Sequence, residues 1–261
     1  MLLRQAIPIE INLTIDIKSF DLFSNKFHRW VHSSEQKVMG LPSGNPVIVS
    51  GITDAFNQLY GLYNKIGLFD GEYGYHELAL GDRVTTNLQE ADCIVVSHPF
   101  SADGMSSEAL LHLADSYNKP IFIDCAFFGI CNNISFNFSN LKNVHSVCFS
   151  LSKTFGTGLN RVGLLYTQDN FPAKIYREWN YPLISQAISH YNLIDTLSPD
   201  DMFRKYRSKQ LEICAELDVA PSDTVIFGYD CSDKYKEYRR GQVNRLCISA
   251  LLNTKLQEVL K

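Results

Sequence analysis

The residues best suited to chemistry lie close together: Ser150, Ser152 and Lys153, with Arg161 eight positions after the lysine. Hydroxyls and a guanidinium grip a phosphate, and a lysine amine can form an imine with a carbonyl. A lysine between two serines is poorly placed for packing and well placed to hold something small and anionic. Pyridoxal phosphate, PLP, carries both a phosphate and an aldehyde. The competing reading is a surface turn whose Lys153 and Arg161 are merely solvated.

Such a cluster needs elements to deliver it. Residues 145–149 are apolar and β-branched and read as a strand that stops at Ser150. The chain turns through Gly156 and Gly158 and returns as a second strand over 161–166. Residues 47–50 form a short buried strand. Gly51 follows, and Thr53-Asp54 opens a helical pattern of Ala55, Phe56, Leu59, Tyr60, Leu62, Tyr63 and Ile66. The start of that helix presents free amides and a positive dipole end to an anion, and Thr53 adds a hydroxyl. A plain N-cap accounts for the same residues. In the Gly- and aromatic-rich stretch 69–76, Tyr73 is placed to lay its face on a ring, or is an ordinary loop aromatic.

Residues 91–97 are a strand running into a loop, 98–104, that begins His98-Pro99. An amphipathic helix spans 105–117. Residues 120–124 are a buried strand ending on Asp124. This β-loop-α-β unit sets both strand ends at one edge of a parallel sheet, where ligands of open α/β sheets bind. An apolar run follows Asp124, so the carboxylate needs a cationic partner to stay charged. A turn-forming role is its alternative.

Length and composition bound the rest. The chain has 261 residues, 45% of them apolar and 20% charged, which fits a globular protein with a large core. Its net charge of −4 gives no electrostatic case for nucleic acid. No apolar run approaches the roughly 20 residues that cross a bilayer. Cys93, Cys125, Cys131, Cys148, Cys214, Cys231 and Cys247 form no Cys-x-x-Cys pair, so neither a metal site nor a disulfide framework is expected. The N-terminus lacks a basic segment followed by an apolar one, so a cytoplasmic protein is expected. Residues 1–45 read as an arm or small-domain piece, with a strand over 9–17 and a short helix within 20–31. Residues 46–170 form the large domain. Residues 171–261 form a helical linker and a small C-terminal domain, with strands over 224–228 and 243–249 and a terminal helix over 254–260.

In their order, these pieces resemble PLP-dependent aminotransferases of fold type I, the class I/II group. The most specific part is Ser150-x-Ser152-Lys153 with Arg161, then Asp124-x-Ala126, then His98-Pro99 with Gly104 and Gly51-x-Thr53-x-Ala55. The resemblance is clear from 47 to 166 and returns from 224 to 249. It implies a three-layer α-β-α large domain with a mostly parallel sheet, plus a small α+β C-terminal domain. By the same resemblance, Lys153 looks like the lysine that holds PLP as an internal aldimine, a Schiff base, and then moves the substrate proton. Asp124 resembles the carboxylate that keeps the pyridine nitrogen protonated. The amide of Ile52, with Thr53, Ser150, Ser152 and Arg161, resembles the phosphate cup. Tyr73 sits where an aromatic stacks on the ring. His98 stands where an asparagine reaches the phenolic oxygen. Arg245 resembles the arginine that clamps a substrate carboxylate. The family also implies a homodimer.

Two departures qualify this. His98 replaces the asparagine, and Phe127 stands where a tyrosine usually also reaches the phenolic oxygen. The chain is also shorter than is usual for the group. The expected activity is transamination between an α-amino acid and a 2-oxo acid. The alternatives are other PLP chemistry, such as β-elimination, decarboxylation or racemisation, and a non-catalytic PLP-binding subunit.

Overall fold

The computed structural model describes residues 17–44, 46–168 and 181–253. The strand expected over 9–17, apart from Ile17, and the terminal helix expected over 254–260 lie outside these residues.

One sheet forms the body of the molecule. Its strands are β1 (Val47–Val49), β2 (Ile66–Leu68), β3 (Val84–Thr85), β4 (Cys93–Ser97), β5 (Ile121–Cys125), β6 (Val144–Ser150) and β7 (Gly163–Thr167), in the order β1-β7-β6-β5-β4-β2-β3. Pairing is parallel from β3 through to β6, and β7 runs antiparallel to both β6 and β1. Every residue of β4, β5, β6 and β7 is buried. Apolar strands without alternation belong to a sheet covered on both faces. The covering helices are α1 (Ile17–His32), α2 (Ile52–Leu62) and α4 (Glu108–Ser116), joined by α6 (Tyr181–Thr196). Two short helices, α3 (Tyr75–Leu80) and α5 (Leu151–Thr154), sit in the connections.

The segment expected as an N-terminal arm carries α1, which packs on β7 and on α6. Phe20, Phe23, Phe27, Trp30 and Val31 recur at helical spacing and are all buried. Trp30 donates its indole N–H to the carbonyl of Leu197 at 2.7 Å and packs edgewise on Phe128.

Ile66, expected to close the helix begun at Thr53, starts β2 instead. A strand of three residues has no periodicity to read, and Gly67 conceals it further. The glycine is needed because a Cβ there would lie 2.8 Å from that of Ala91.

A long helix, α7 (Asp201–Leu217), supports a second sheet of β8 (Ala220–Pro221), β9 (Phe227–Asp230), β10 (Arg239–Arg240) and β11 (Val243–Cys247). The sheet is antiparallel, in the order β10-β11-β9-β8. Gln210 of α7 is fully buried and donates to the carbonyls of Ser222, Thr224 and Phe227 at 3.0, 3.1 and 2.7 Å. The bonds that join this unit to the large sheet's loops include Thr224 Oγ1 to the Gly104 carbonyl at 2.7 Å and Val225 N–H to the Ile130 carbonyl at 2.8 Å. They hold Ile226 and Phe227 over the carboxyl edge of the large sheet.

Candidate active site

The C-terminal ends of β4, β5 and β6 lie side by side, with Ser97 opposite Asp124 in register and β6 ending at Ser150. A cavity of about 200 Å³ opens at this edge. Ile52, Thr53, Tyr73, Asp124, Ser150, Ser152, Lys153, Arg161 and Arg245 all line it. Three strand spacings separate β1, which leads into Ile52, from β5, which ends near Asp124. At about 4.8 Å each, this sets the two ends roughly 14 Å apart before the side chains reach inward.

One end is built for an anion. Gly51 precedes α2 with φ 77°, and a Cβ there would lie 3.2 Å from that of Arg161. Glycine therefore lets the arginine lie across the helix N-terminus. Arg161 Nη1 donates to Thr53 Oγ1 at 2.6 Å and Nε donates to the Gly158 carbonyl at 3.1 Å. Ser150 Oγ accepts the Ser152 N–H at 3.2 Å, capping α5. Ser152 Oγ is buried and has no hydrogen-bond partner among the described residues. An orphaned hydroxyl beside a guanidinium and a helix N-terminus suits a bound phosphate.

The other end is acidic. Asp124 is buried and accepts the Ala126 N–H at 2.8 Å. Burial pushes its carboxyl up to about 7, and the charge of Glu72 adds to the rise. The Ala126 bond and the Lys153 cation oppose it. A cationic ring nitrogen set here would resolve the unfavourable burial. Lys153 extends from α5 into the same cavity, between the two ends.

The third group sits on the small sheet. Arg245 of β11 donates through Nη1 to the Ser101 carbonyl, and its guanidinium lies 4.4 Å over the Phe227 ring. Burial pulls it down to about 10. Its Nε is buried without a partner among the described residues, which leaves a donor for a ligand.

The placement of His98 corrects the sequence reading. The side chain is fully buried and does not line the cavity. Its ring bonds Ser107 Oγ and the Ser135 carbonyl, both at 2.8 Å, and packs edgewise on Phe136. Burial lowers its basicity, so it is held as a neutral packing residue. Ser97 and Ser101, before and after it, line the cavity instead. Glu72 was also missed, because a single acid in an aromatic loop carries no motif. Phe127 lines the cavity with its ring edge on Phe227, 5.1 Å between centroids.

No protein-family model matches the chain, and no curated protein sequence does. Its fold does match solved structures. A probable N-succinyldiaminopimelate aminotransferase from Thermus thermophilus aligns at 12% identity and TM-score 0.66, over 93% of this chain and 82% of that one. The histidinol-phosphate aminotransferase from Clostridium acetobutylicum aligns at 15% and 0.63, over 94% and 89%. L-threonine-O-3-phosphate decarboxylase from Porphyromonas gingivalis aligns at 15% and 0.60, over 92% and 90%. The chain thus has the fold type I architecture of PLP-dependent enzymes. At these identities the likeness establishes the fold alone.

Proposed function

We propose that the chain is a PLP-dependent enzyme acting on an amino acid, with transamination to a 2-oxo acid as its reaction. One observation carries this reading: an amine, a buried carboxylate, a guanidinium and an unpartnered hydroxyl line a single cavity at the sheet's carboxyl edge. The residues fit the cofactor. Arg161, Thr53, Ser150, Ser152 and the first amides of α2 would hold its phosphate. Asp124 would face its ring nitrogen, Tyr73 its ring, and Lys153 would hold its aldehyde carbon. When bound, PLP supplies an electron-withdrawing ring that stabilises negative charge at a substrate's α-carbon.

The remaining steps belong to the chain's own groups. Arg245 binds the substrate carboxylate with its free Nε. The Lys153 amine, free to act as a base once substrate is bound, would accept the α-proton and carry it to the product side. Positioned proton transfer of this kind contributes about 10²–10⁴-fold. Asp124 would pair with a cationic ring nitrogen, which would offset the burial that raises its carboxyl.

A second reading is kept for one reason. Phe127 offers no hydroxyl to the cofactor, so one control over the reaction path is absent, and β-elimination or decarboxylation competes with transamination. A homodimer is part of the proposal: Leu78 and Leu159, 89% and 103% exposed, flank the Tyr73 and Arg161 loops and would be covered by a second copy.

Absorbance tests the whole. The wild type incubated with PLP is expected to turn yellow, and Lys153→Ala to lack the colour. Amino acids should then convert the bound cofactor to its amine form, with a 2-oxo acid released. Ammonia or carbon dioxide as product would favour the second reading. A wild type that ignores PLP would refute both.

A further inference from the structure

Glu72 is buried and does not line the cavity, and beyond its charge raising the Asp124 carboxyl it has no part in the chemistry described above. It nevertheless sits at the root of a chain of hydrogen bonds that ends on the carboxylate-binding arginine. Tyr73 N–H donates to Oε1 at 3.0 Å, Ser97 N–H to Oε2 at 2.8 Å, and the Ser97 hydroxyl to Oε1. The same Ser97 Oγ accepts the Ser101 N–H at 2.8 Å. The Ser101 carbonyl then accepts Nη1 of Arg245. Tyr73, Ser97, Ser101 and Arg245 all line the cavity. Glu72 lies outside it and reaches each of them through at most three bonds.

The arrangement has a physical reason. Ser101 belongs to an irregular loop after β4, and a loop's backbone groups need partners when buried. Three donors converging on one carboxylate are charge-assisted and stronger than neutral bonds. Burial raises the Glu72 carboxyl, and the bonds from Ser97 and Tyr73 oppose that rise. Arg245 comes from the other sheet, so the Ser101 carbonyl is where the small sheet's arginine is held to the large one.

We infer that Glu72 is a positioning residue: through Ser97 and Ser101 it fixes the orientation of Arg245, so that Nη1 is occupied and Nε is left to face the substrate carboxylate. The inference rests on the amino-acid reading above for the identity of the ligand, but not for the geometry.

The test reads Arg245 directly. Phenylglyoxal modifies guanidinium groups, and peptide mass spectrometry gives a separate rate for each arginine. Arg204, an exposed residue on α7 paired with Glu35, is the internal control. In Glu72→Ala, Arg245 is expected to react about fivefold faster or more, as follows from the loss of one net hydrogen bond, with Arg204 unchanged. Glu72→Gln, which keeps one acceptor oxygen, should fall between Glu72→Ala and the wild type. An Arg245 rate equal to that of the wild type overturns the inference. Should Glu72→Ala unfold and all arginines react faster, Ser97→Ala replaces it: it removes only the hydroxyl relay and must still accelerate Arg245 selectively, or the inference fails. PLP uptake by the same samples is read by absorbance. Failure of the wild type to take up PLP refutes the proposed function, while the arginine rates still decide the role of Glu72.

Discussion

Arg161 and Thr53, 108 residues apart, meet at 2.6 Å, Nη1 to Oγ1, across the N-terminus of α2. The contact brings the loop after α5 against the first turn of α2, and Gly51 has no side chain to obstruct it. Arg161, Thr53 and Ile52 at the start of α2 then line one cavity together with Ser152, whose Oγ is unpartnered among the described residues. Removing the guanidinium should cost what one or two charge-assisted bonds are worth, about 1.5–3 kcal/mol each. Arg161→Ala is therefore expected to weaken PLP binding at least tenfold, by absorbance titration. Arg161→Lys, which keeps the charge and loses the fork, should lose less. Inorganic phosphate should compete for the same end. An Arg161→Ala protein with wild-type affinity would place the anion elsewhere.

Asp124 makes the PLP-free protein sensitive to pH. Its carboxyl sits near 7 in the fold, chiefly through burial, against about 3.9 in an unfolded chain. Between those values the folded state holds a proton that the unfolded state has lost. The group's stabilisation is therefore complete below the unfolded value and lost as pH rises through about 7. The full span is on the order of 4 kcal/mol. Urea midpoints of PLP-free wild type should fall from pH 5 to pH 8 more steeply than those of Asp124→Asn. Parallel pH profiles would show that Asp124 is not a buried titrating acid. The same substitution should weaken PLP binding, since a neutral amide cannot pair with a protonated ring nitrogen.

Residues that depend on strand ends were legible in the sequence; residues that depend on how two loops meet were not. Ser150, Ser152, Lys153 and Asp124 stand where apolar runs break off, and a buried parallel strand delivers its last polar residue to the carboxyl edge whatever the rest of the chain does. Ser101 and Glu72 have no such signature. Their placement follows from hydrogen bonds among Tyr73, Ser97 and Arg245, which are 172 positions apart at the extremes. The ring of His98 was drawn away by Ser107 and the Ser135 carbonyl, neither of which is marked in the sequence. In the fold, β4 to β7 could be read from their apolar runs, whereas β2 and β3, of three and two residues, were too short to show a pattern.

Gly104 packs closely against the loop that leads into β9. Its φ is 72°, and a Cβ there would lie 2.6 Å from Ser222 Oγ and 2.8 Å from both Phe227 Cδ2 and Thr224 Cβ. Gly104→Ala combines a strained backbone with overpacking, so a loss of about 2–4 kcal/mol is expected in urea denaturation. The nearest atoms belong to the segment that carries Phe227, so the cavity should loosen on the Arg245 side while the phosphate end is spared. PLP affinity within about threefold of wild type, with amino-acid binding reduced roughly tenfold or more, would be the signature, since one hydrogen bond is worth about that much. Equal loss at both ends would contradict it.

Gln210 tests the same joint from the helix side. Its amide N–H groups serve three carbonyls of the turn before and within β9, and its Oε1 accepts Arg207 Nη1 at 2.6 Å. Each carbonyl also has a second donor: Arg207 Nη1 to Ser222 at 2.8 Å, Phe227 N–H to Thr224 at 3.0 Å and Ser222 N–H to Phe227 at 3.2 Å. Gln210→Leu keeps the approximate volume and leaves each acceptor with its other donor, so the loss is about 0.5–1.5 kcal/mol per bond removed. Gln210→Glu keeps the shape as well, but sets a carboxylate against three carbonyl oxygens and should be worse at neutral pH than the leucine. The order wild type, Gln210→Leu, Gln210→Glu in urea midpoint is the expected result, with the glutamate variant recovering as pH falls and its carboxyl takes up a proton. If the two variants are equally stable at pH 8, the bonds from Gln210 do not hold the small sheet in place, and the position of Phe227 and Arg245 over the cavity must have another cause.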